Sequence, residues 1–165
     1  MAGEALVYSK ASDYAIRALV HLARCPSRTL VRAVDIAKTE KLPPLFLAKT
    51  LQGLVRQRLL KSSRGRGGAF QFWLDPKEIC LRDVVRAVDG IPCYEQCAMG
   101  RQRCSVEDAC PMHEGWAGLR SQIVQYLQQT TIAGLASAPD ARRNWCGLPR
   151  LSPNAKPKHI SNIVV

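Results

Sequence analysis

The stretch PPLFLAKTLQGLVRQRLLKSSRGRGGAFQFWL, residues 43–74, changes its hydrophobic period halfway along, and that change decides the fold. Its first part sets Leu45, Leu47, Leu51, Leu54 and Val55 at helical spacing, which predicts a helix over Pro44–Gln57. Proline at the start of a helix costs nothing, because the first backbone N–H groups have no intrahelical partner. After Arg58 the spacing shortens. Leu59–Ser63 reads as a strand, Arg64–Gly68 as a flexible turn and Ala69–Leu74 as a returning strand. Between Lys49 and Arg66 stand six basic residues, Lys49, Arg56, Arg58, Lys61, Arg64 and Arg66, and no acidic one. A cationic helix followed by an arginine–glycine hairpin tip suits a polyanion, most simply double-stranded DNA. The plainer reading of the charges alone is a solvated face.

Working outward, SKASDYAIRALVHLAR (Ser9–Arg24) predicts a first helix with Tyr14, Ile16, Ala18, Leu19, Leu22 and Ala23 on one broad face. Ser9 or Ser12 caps it, Asp13 sits in its first turn and Cys25-Pro26 ends it. A shorter helix over about Val31–Thr39 follows, then a brief turn at Glu40–Leu42. Two short helices, a tight turn and a hairpin make a winged helix-turn-helix. The expected fold class is therefore mainly α with a small β-hairpin. In that geometry the helix from Pro44 enters a major groove with Pro44, Leu45, Phe46, Lys49, Thr50 and Arg56. Arg58, Lys61 and Ser63 line the wing, and Arg64 and Arg66 at its tip reach backbone or minor groove.

Downstream, Ile79–Asp89 reads as a fourth helix packing through Ile79, Leu81, Val84, Val85 and Val88. Beyond a cysteine-rich loop, His113 to Ile132 reads as the longest helix, with Trp116, Leu119, Ile123, Tyr126 and Ile132 along a heptad-like seam. The earlier helices already supply a core, so this seam is expected to make a homodimer, with packing inside the chain as the alternative. From Ala136 the sequence loses its period and is expected to be a disordered tail. The parts are thus a DNA-binding domain (1–90), a cluster loop (91–112), a dimerisation helix (113–135) and the tail (136–165).

The 165 residues carry a net charge of +11, unevenly spread. Residues 1–90 hold 16 Lys/Arg against 8 Asp/Glu, and residues 91–165 hold 8 against 5. No apolar run approaches a membrane span and no secretory segment stands near the start, so a cytoplasmic protein with no membrane partner is expected. No phosphate-cradling loop or nucleophile constellation is visible, which argues against an enzyme.

Four of the seven cysteines lie in CYEQCAMGRQRCSVEDACPMH, residues 93–113, with spacing C-x3-C-x6-C-x5-C-x2-H. Met99 and Val106 are the only aliphatic residues between those cysteines, so the segment should remain a loop unless something cross-links it. Disulfides are disfavoured by an odd thiol count and no export signal. Zinc usually takes two close ligand pairs, and here only Cys110 and His113 form one. An iron–sulfur cluster tolerates irregular spacing because its irons are separate attachment points, and is the preferred reading, with zinc or no cofactor as alternatives. Cys25 and Cys80 read as packing residues, and Cys146 as an exposed one outside the cluster.

SDYAIRAL (12–19), DIAKTEKLPPLFLAKTLQGLVRQRLLKSSRGRGGAF (35–70), EICLRDVVRAVDG (78–90) and the loop ending CPMHEGW together resemble the Rrf-type winged-helix regulators. That family includes an iron–sulfur-cluster regulator and a nitric-oxide-responsive repressor. The resemblance covers about residues 8–135. It implies a homodimeric transcription regulator, most simply a repressor, that meets an inverted-repeat operator and senses redox state, nitric oxide or iron–sulfur status. It also implies a cluster of two-iron or four-iron type (2Fe-2S or 4Fe-4S). Cys104 and Cys110 match the second and third cluster cysteines, and His113 the cluster regulator's histidine. Asp13 matches the position from which the repressor supplies a carboxylate across the dimer. The family's common C-x5-C-x5-C spacing would put the first cysteine at Ala98. Cys97 is one residue early and Cys93 five, so Cys97 is the first choice and Cys93 its rival. For the fourth ligand Asp13 is preferred over His113, as the one that would connect the cluster to the partner's reading head. A cluster-free regulator switched by thiol oxidation, and an iron–sulfur enzyme or electron carrier, remain as alternatives.

Overall fold

The structure is a computed structural model that describes residues 7–63, 68–91, 93–101 and 104–138. Helix α1 (Lys10–Arg24) begins where the Ser9 hydroxyl accepts from the Ser12 N–H, as a short polar side chain at an N-cap should. It buries Ala15, Ile16, Ala18, Leu19 and Leu22. Strand β1 (Val31–Arg32) leads into α2 (Ala33–Glu40), which ends on a left-handed Lys41. Helix α3 (Pro44–Arg56) follows, then β2 (Leu60–Ser63) and β3 (Ala69–Phe72).

The sheet is antiparallel in the order β1-β3-β2, with Leu60 opposite Phe72 and Val31 opposite Phe70. Helical spacing alone places Val31 and Arg32 at the start of the second helix. They pair with β3 instead, because Phe70 offers Val31 a buried cross-strand neighbour and Ala33 donates to the Gly68 carbonyl. The returning strand stops at Phe72, short of Leu74. Trp73 donates to the Leu59 carbonyl and closes the hairpin's base.

Helix α4 (Leu81–Asp89) starts two residues later than the expected Ile79. Asp83 accepts from the Cys80 N–H and its thiol, a capping box that sets the boundary. Helix α5 (His113–Gln129) does not run on to Ile132. Thr130 and Thr131 break it, Thr131 caps a short α6 (Ile132–Ser137), and the break pairs with the segment ahead of α4. Leu81 donates to the Thr130 carbonyl and Ile132 donates to that of Ile79. Long-range hydrogen bonds therefore outweigh continuation of the helix. Helix α6 includes Ala136, whose carbonyl accepts from Arg24 at 3.1 Å, although the sequence places Ala136 in the tail. Residues 139–165 lie outside the described residues.

One core joins Leu19, Ile36, Leu47, Leu51, Leu54, Phe70, Val84, Val85, Leu127 and Ile132. Each such side chain contributes about 1.5–3 kcal/mol on burial. Helices α1 to α4 and α6 wrap it, and α5 touches it mainly through Leu127.

Candidate functional site

Two regions gather the candidate residues. The first is the outer face of α3 and the wing. Burial of Leu47, Leu51 and Leu54 turns Pro44, Leu45, Phe46, Lys49 and Arg56 outward. Leu45 is 89% exposed, and Phe46 rests edge-on against the Tyr14 ring at 5.7 Å. Thr50 is partly covered and its hydroxyl donates to the Phe46 carbonyl, which leaves an oxygen lone pair free to accept. Arg58, in left-handed backbone, Lys61 and Ser63 are exposed, and Lys61 lies over the Trp73 ring at 5.8 Å. Among the described residues no carboxylate forms an ion pair with Lys49, Arg56, Arg58 or Lys61. Arg64 and Arg66 lie outside the described residues.

The second region is the cysteine loop, and its first half is not loose. Tyr94, in a 3-10 turn over Cys93–Glu95, is 1% exposed and is among the largest fully buried side chains. Glu95 takes Arg86 at 2.8 Å and Arg82 at 3.4 Å, both from α4. The Trp116 indole of α5 donates to the Gln96 carbonyl at 2.8 Å. These contacts correct the expectation that the segment has little to bury. Counting only aliphatic residues passes over Tyr94, whose ring is the anchor.

Cys97 follows this anchored turn and Cys110 precedes α5, and both are buried. Their sulfurs approach to 4.0 Å. The N–H groups of Met99, then of Arg101, point at the Cys97 sulfur and hold its thiol below the usual range. Cys104, half-buried, faces the His113 Nδ1 at 3.4 Å. The donors therefore meet in two pairs, Cys97 with Cys110 and Cys104 with His113. Among the described residues no three His, Cys, Asp or Glu side chains converge on one point. The side chain of Cys93 lies outside the described set.

Asp13 is placed elsewhere. It pairs with Arg17 at 3.9 Å on its own helix, and partial burial raises its carboxyl pKa. Burial also raises the Tyr8 phenol, helped by Asp13 and by Tyr126 of α5. Among the described residues Asp13 joins neither the cysteines nor His113.

A three-stranded winged helix-turn-helix with an unpaired cationic face defines a DNA-binding transcription regulator rather than an enzyme. The family model described as Rrf2, an iron-dependent transcriptional regulator, matches residues 8–138, and the chain belongs to that family. A protein of Aquifex aeolicus (strain VF5) designated an HTH-type transcriptional regulator is 33% identical over 132 residues, covering 79% of this chain and 91% of its own length. The HTH-type transcriptional regulator IscR of Serratia proteamaculans (strain 568) is 27% identical over 155 residues, 91% of this chain and 93% of the relative. Among solved structures, CymR, the global cysteine regulator of B. subtilis, superimposes with a TM-score of 0.69 at 26% identity, covering 82% of this chain and all of that one. IscR of T. potens, at 21% identity with a TM-score of 0.60 over 77% of this chain and 83% of that one, shares the fold. No helix among the described residues is long and apolar enough to cross a membrane.

Proposed function

We propose that this regulator binds an inverted-repeat operator as a two-fold dimer and senses redox state, nitric oxide or iron–sulfur supply through an iron–sulfur cluster. Cys97, Cys104, Cys110 and His113 would hold that group. The observation that carries the reading is the arrangement of donors in two pairs. A cluster offers separate irons, each taking its own ligands, and thiolates with an occasional imidazole are its usual set. Zinc needs its donors around one point, which the paired arrangement does not supply. The family's description as iron-dependent supports the same reading. When bound, the cluster would supply a redox-active group open to attack by oxygen or nitric oxide.

The chain's own residues connect that site to the reading heads. Cys110 accepts from the His113 N–H through its carbonyl at 2.8 Å, so Cys110 is tied to the first residue of α5, itself a donor. Leu119 and Tyr126 on α5 are 49% and 61% exposed, a face suited to a second copy. Both half-sites, about one helical turn apart or a multiple of it, must be met at once. A change at the start of α5 therefore alters the spacing of two α3 helices and costs affinity.

The geometry favours His113 over Asp13 as fourth donor, because His113 already faces Cys104 while Asp13 would have to come from a partner subunit. The test is anaerobic purification with iron and sulfide analysis and an absorbance spectrum, for the wild type and for Cys93→Ala, Cys97→Ala, His113→Ala and Asp13→Ala. Stoichiometric iron and sulfide are expected, lost with Cys97→Ala, kept with Cys93→Ala and spectrally altered with His113→Ala. A cluster that survives Cys97→Ala and disappears with Cys93→Ala overturns the ligand set. Metal-free wild type prepared anaerobically defeats the reading altogether.

A further inference from the structure

Cys97 and Cys110 differ from the remaining described thiols in being both buried and mutually adjacent. Each is 7% exposed, and their sulfurs lie 4.0 Å apart. A disulfide places its sulfurs about 2.0 Å apart, so closure needs an approach of about 2 Å. Rotation about the two Cα–Cβ bonds can supply part of this. The intervening described residues form no helix or strand and can yield the rest. The alternative partner, Cys104, is turned to His113. Cys25 and Cys80 are held elsewhere, one at the end of α1 and the other by Asp83.

From this pairing we propose that Cys97 and Cys110 form a disulfide site which closes when the metal-free chain meets hydrogen peroxide, and which then withholds two of the four cluster donors. The withholding rests on the donor set proposed above; the bond itself does not. In the first step one sulfur attacks a peroxide oxygen, the O–O bond breaks, and a sulfenic acid and one water result. The second sulfur then attacks the sulfenic sulfur, the S–O bond breaks, and the second water leaves. Two thiols and one peroxide become one disulfide and two waters, with two electrons passing from sulfur to oxygen. Burial selects the oxidant: peroxide is small enough for a nearly covered pair, whereas a glutathione-sized disulfide is not. A closed bond would keep the site unloaded until a thiol reductant reopened it, so iron uptake would follow the cell's reducing state.

The full chain lends itself to a decisive map. Trypsin cuts after Arg101 and Arg103, and a glutamyl endopeptidase after Glu95 and Glu107, which leaves Cys93, Cys97, Cys104 and Cys110 on separate peptides. Metal-free protein treated with one equivalent of peroxide should lose two of its seven thiols and yield the Cys97–Cys110 linked pair. Cys104→Ser should leave that link intact, and oxidised glutathione should close it far more slowly. A link from Cys97 to Cys93 or Cys104, or sulfinic acids without a link, overturns the proposal. Iron and sulfide are then offered before and after dithiothreitol. Uptake only after reduction is expected, and equal uptake in both states removes the withholding. If fully reduced chain takes up no iron, the withholding fails together with the donor assignment, while the peptide map still decides the bond.

Discussion

Helices α4 and α5 treat their apolar residues in opposite ways. In its 9 residues α4 buries Leu81, Val84 and Val85, whereas α5 in 17 residues buries only Leu127 and exposes Leu119 and Tyr126. One is a wall of the winged domain. The other is attached to the cysteine loop through Trp116 and to the core through Leu127, with Ile123 and Val124 only partly buried against that core. The apolar residues of the two helices therefore stand differently: those of α4 close into the protomer's core, and α5 leaves Leu119 and Tyr126 on the surface, where the proposed second copy would pack.

The largest effect that could break this contrast is on folding. Leu81→Ala should lower stability by about 2–5 kcal/mol in denaturant titrations, as truncations in closed cores do. Leu119→Ala in dilute protein should stay within about 0.5 kcal/mol, as surface changes do. If the two costs are equal, α5 is packed within its own chain and the contrast fails.

Association sharpens the same point. Leu119→Asp should weaken the dimer by roughly 10–100-fold, about 1.4–2.7 kcal/mol, in sedimentation equilibrium. Thermal unfolding at low concentration should hardly change. A variant that remains dimeric at micromolar concentration would move the interface off this face. On the proposed two-fold operator, which takes both protomers, the same change should weaken DNA binding more than Lys49→Ala does. Lys49→Ala leaves one candidate phosphate per protomer without its cation. The slope of log affinity against log salt should flatten by about 0.9 for each phosphate no longer neutralised. An unchanged slope would take Lys49 out of the interface.

The smallest effect reports on Asp13 in the first turn of α1. Asp13 has its pKa raised mainly by burial, so the folded state favours its protonated form. That contribution is complete below the unfolded pKa and is lost as pH rises through the folded one. Asp13→Asn should therefore leave stability at neutral pH unchanged or slightly higher, with Arg17 opposing the gain. Carboxyl chemical shifts followed against pH should show Asp13 titrating above an ordinary aspartate. A titration below that range would mean that Arg17 dominates over burial.

Much of this molecule is legible along the chain. Helical spacing in Ser9–Arg24 and Pro44–Gln57, followed by the two-residue period of the hairpin, gives the order of elements, because those periods arise within a few residues. The cationic face of α3 is legible for the same reason, once Leu47, Leu51 and Leu54 define the inside. The cysteines and His113 are visible by type and spacing as candidate donors. Which donors meet is not a local property. Cys97 lies beside Cys110 rather than its sequence neighbour Cys104, because burial of Tyr94, the grip of Arg82 and Arg86 on Glu95, and the Trp116 bond to Gln96 route the loop across α4 and α5. The strand at Val31–Arg32 and the break at Thr130–Thr131 are decided likewise, by hydrogen bonds to β3 and to the segment ahead of α4. Residue type and period set what each segment can become; contacts between segments far apart in the chain select among those possibilities, since a buried backbone group or ring must find its partner wherever the fold supplies one.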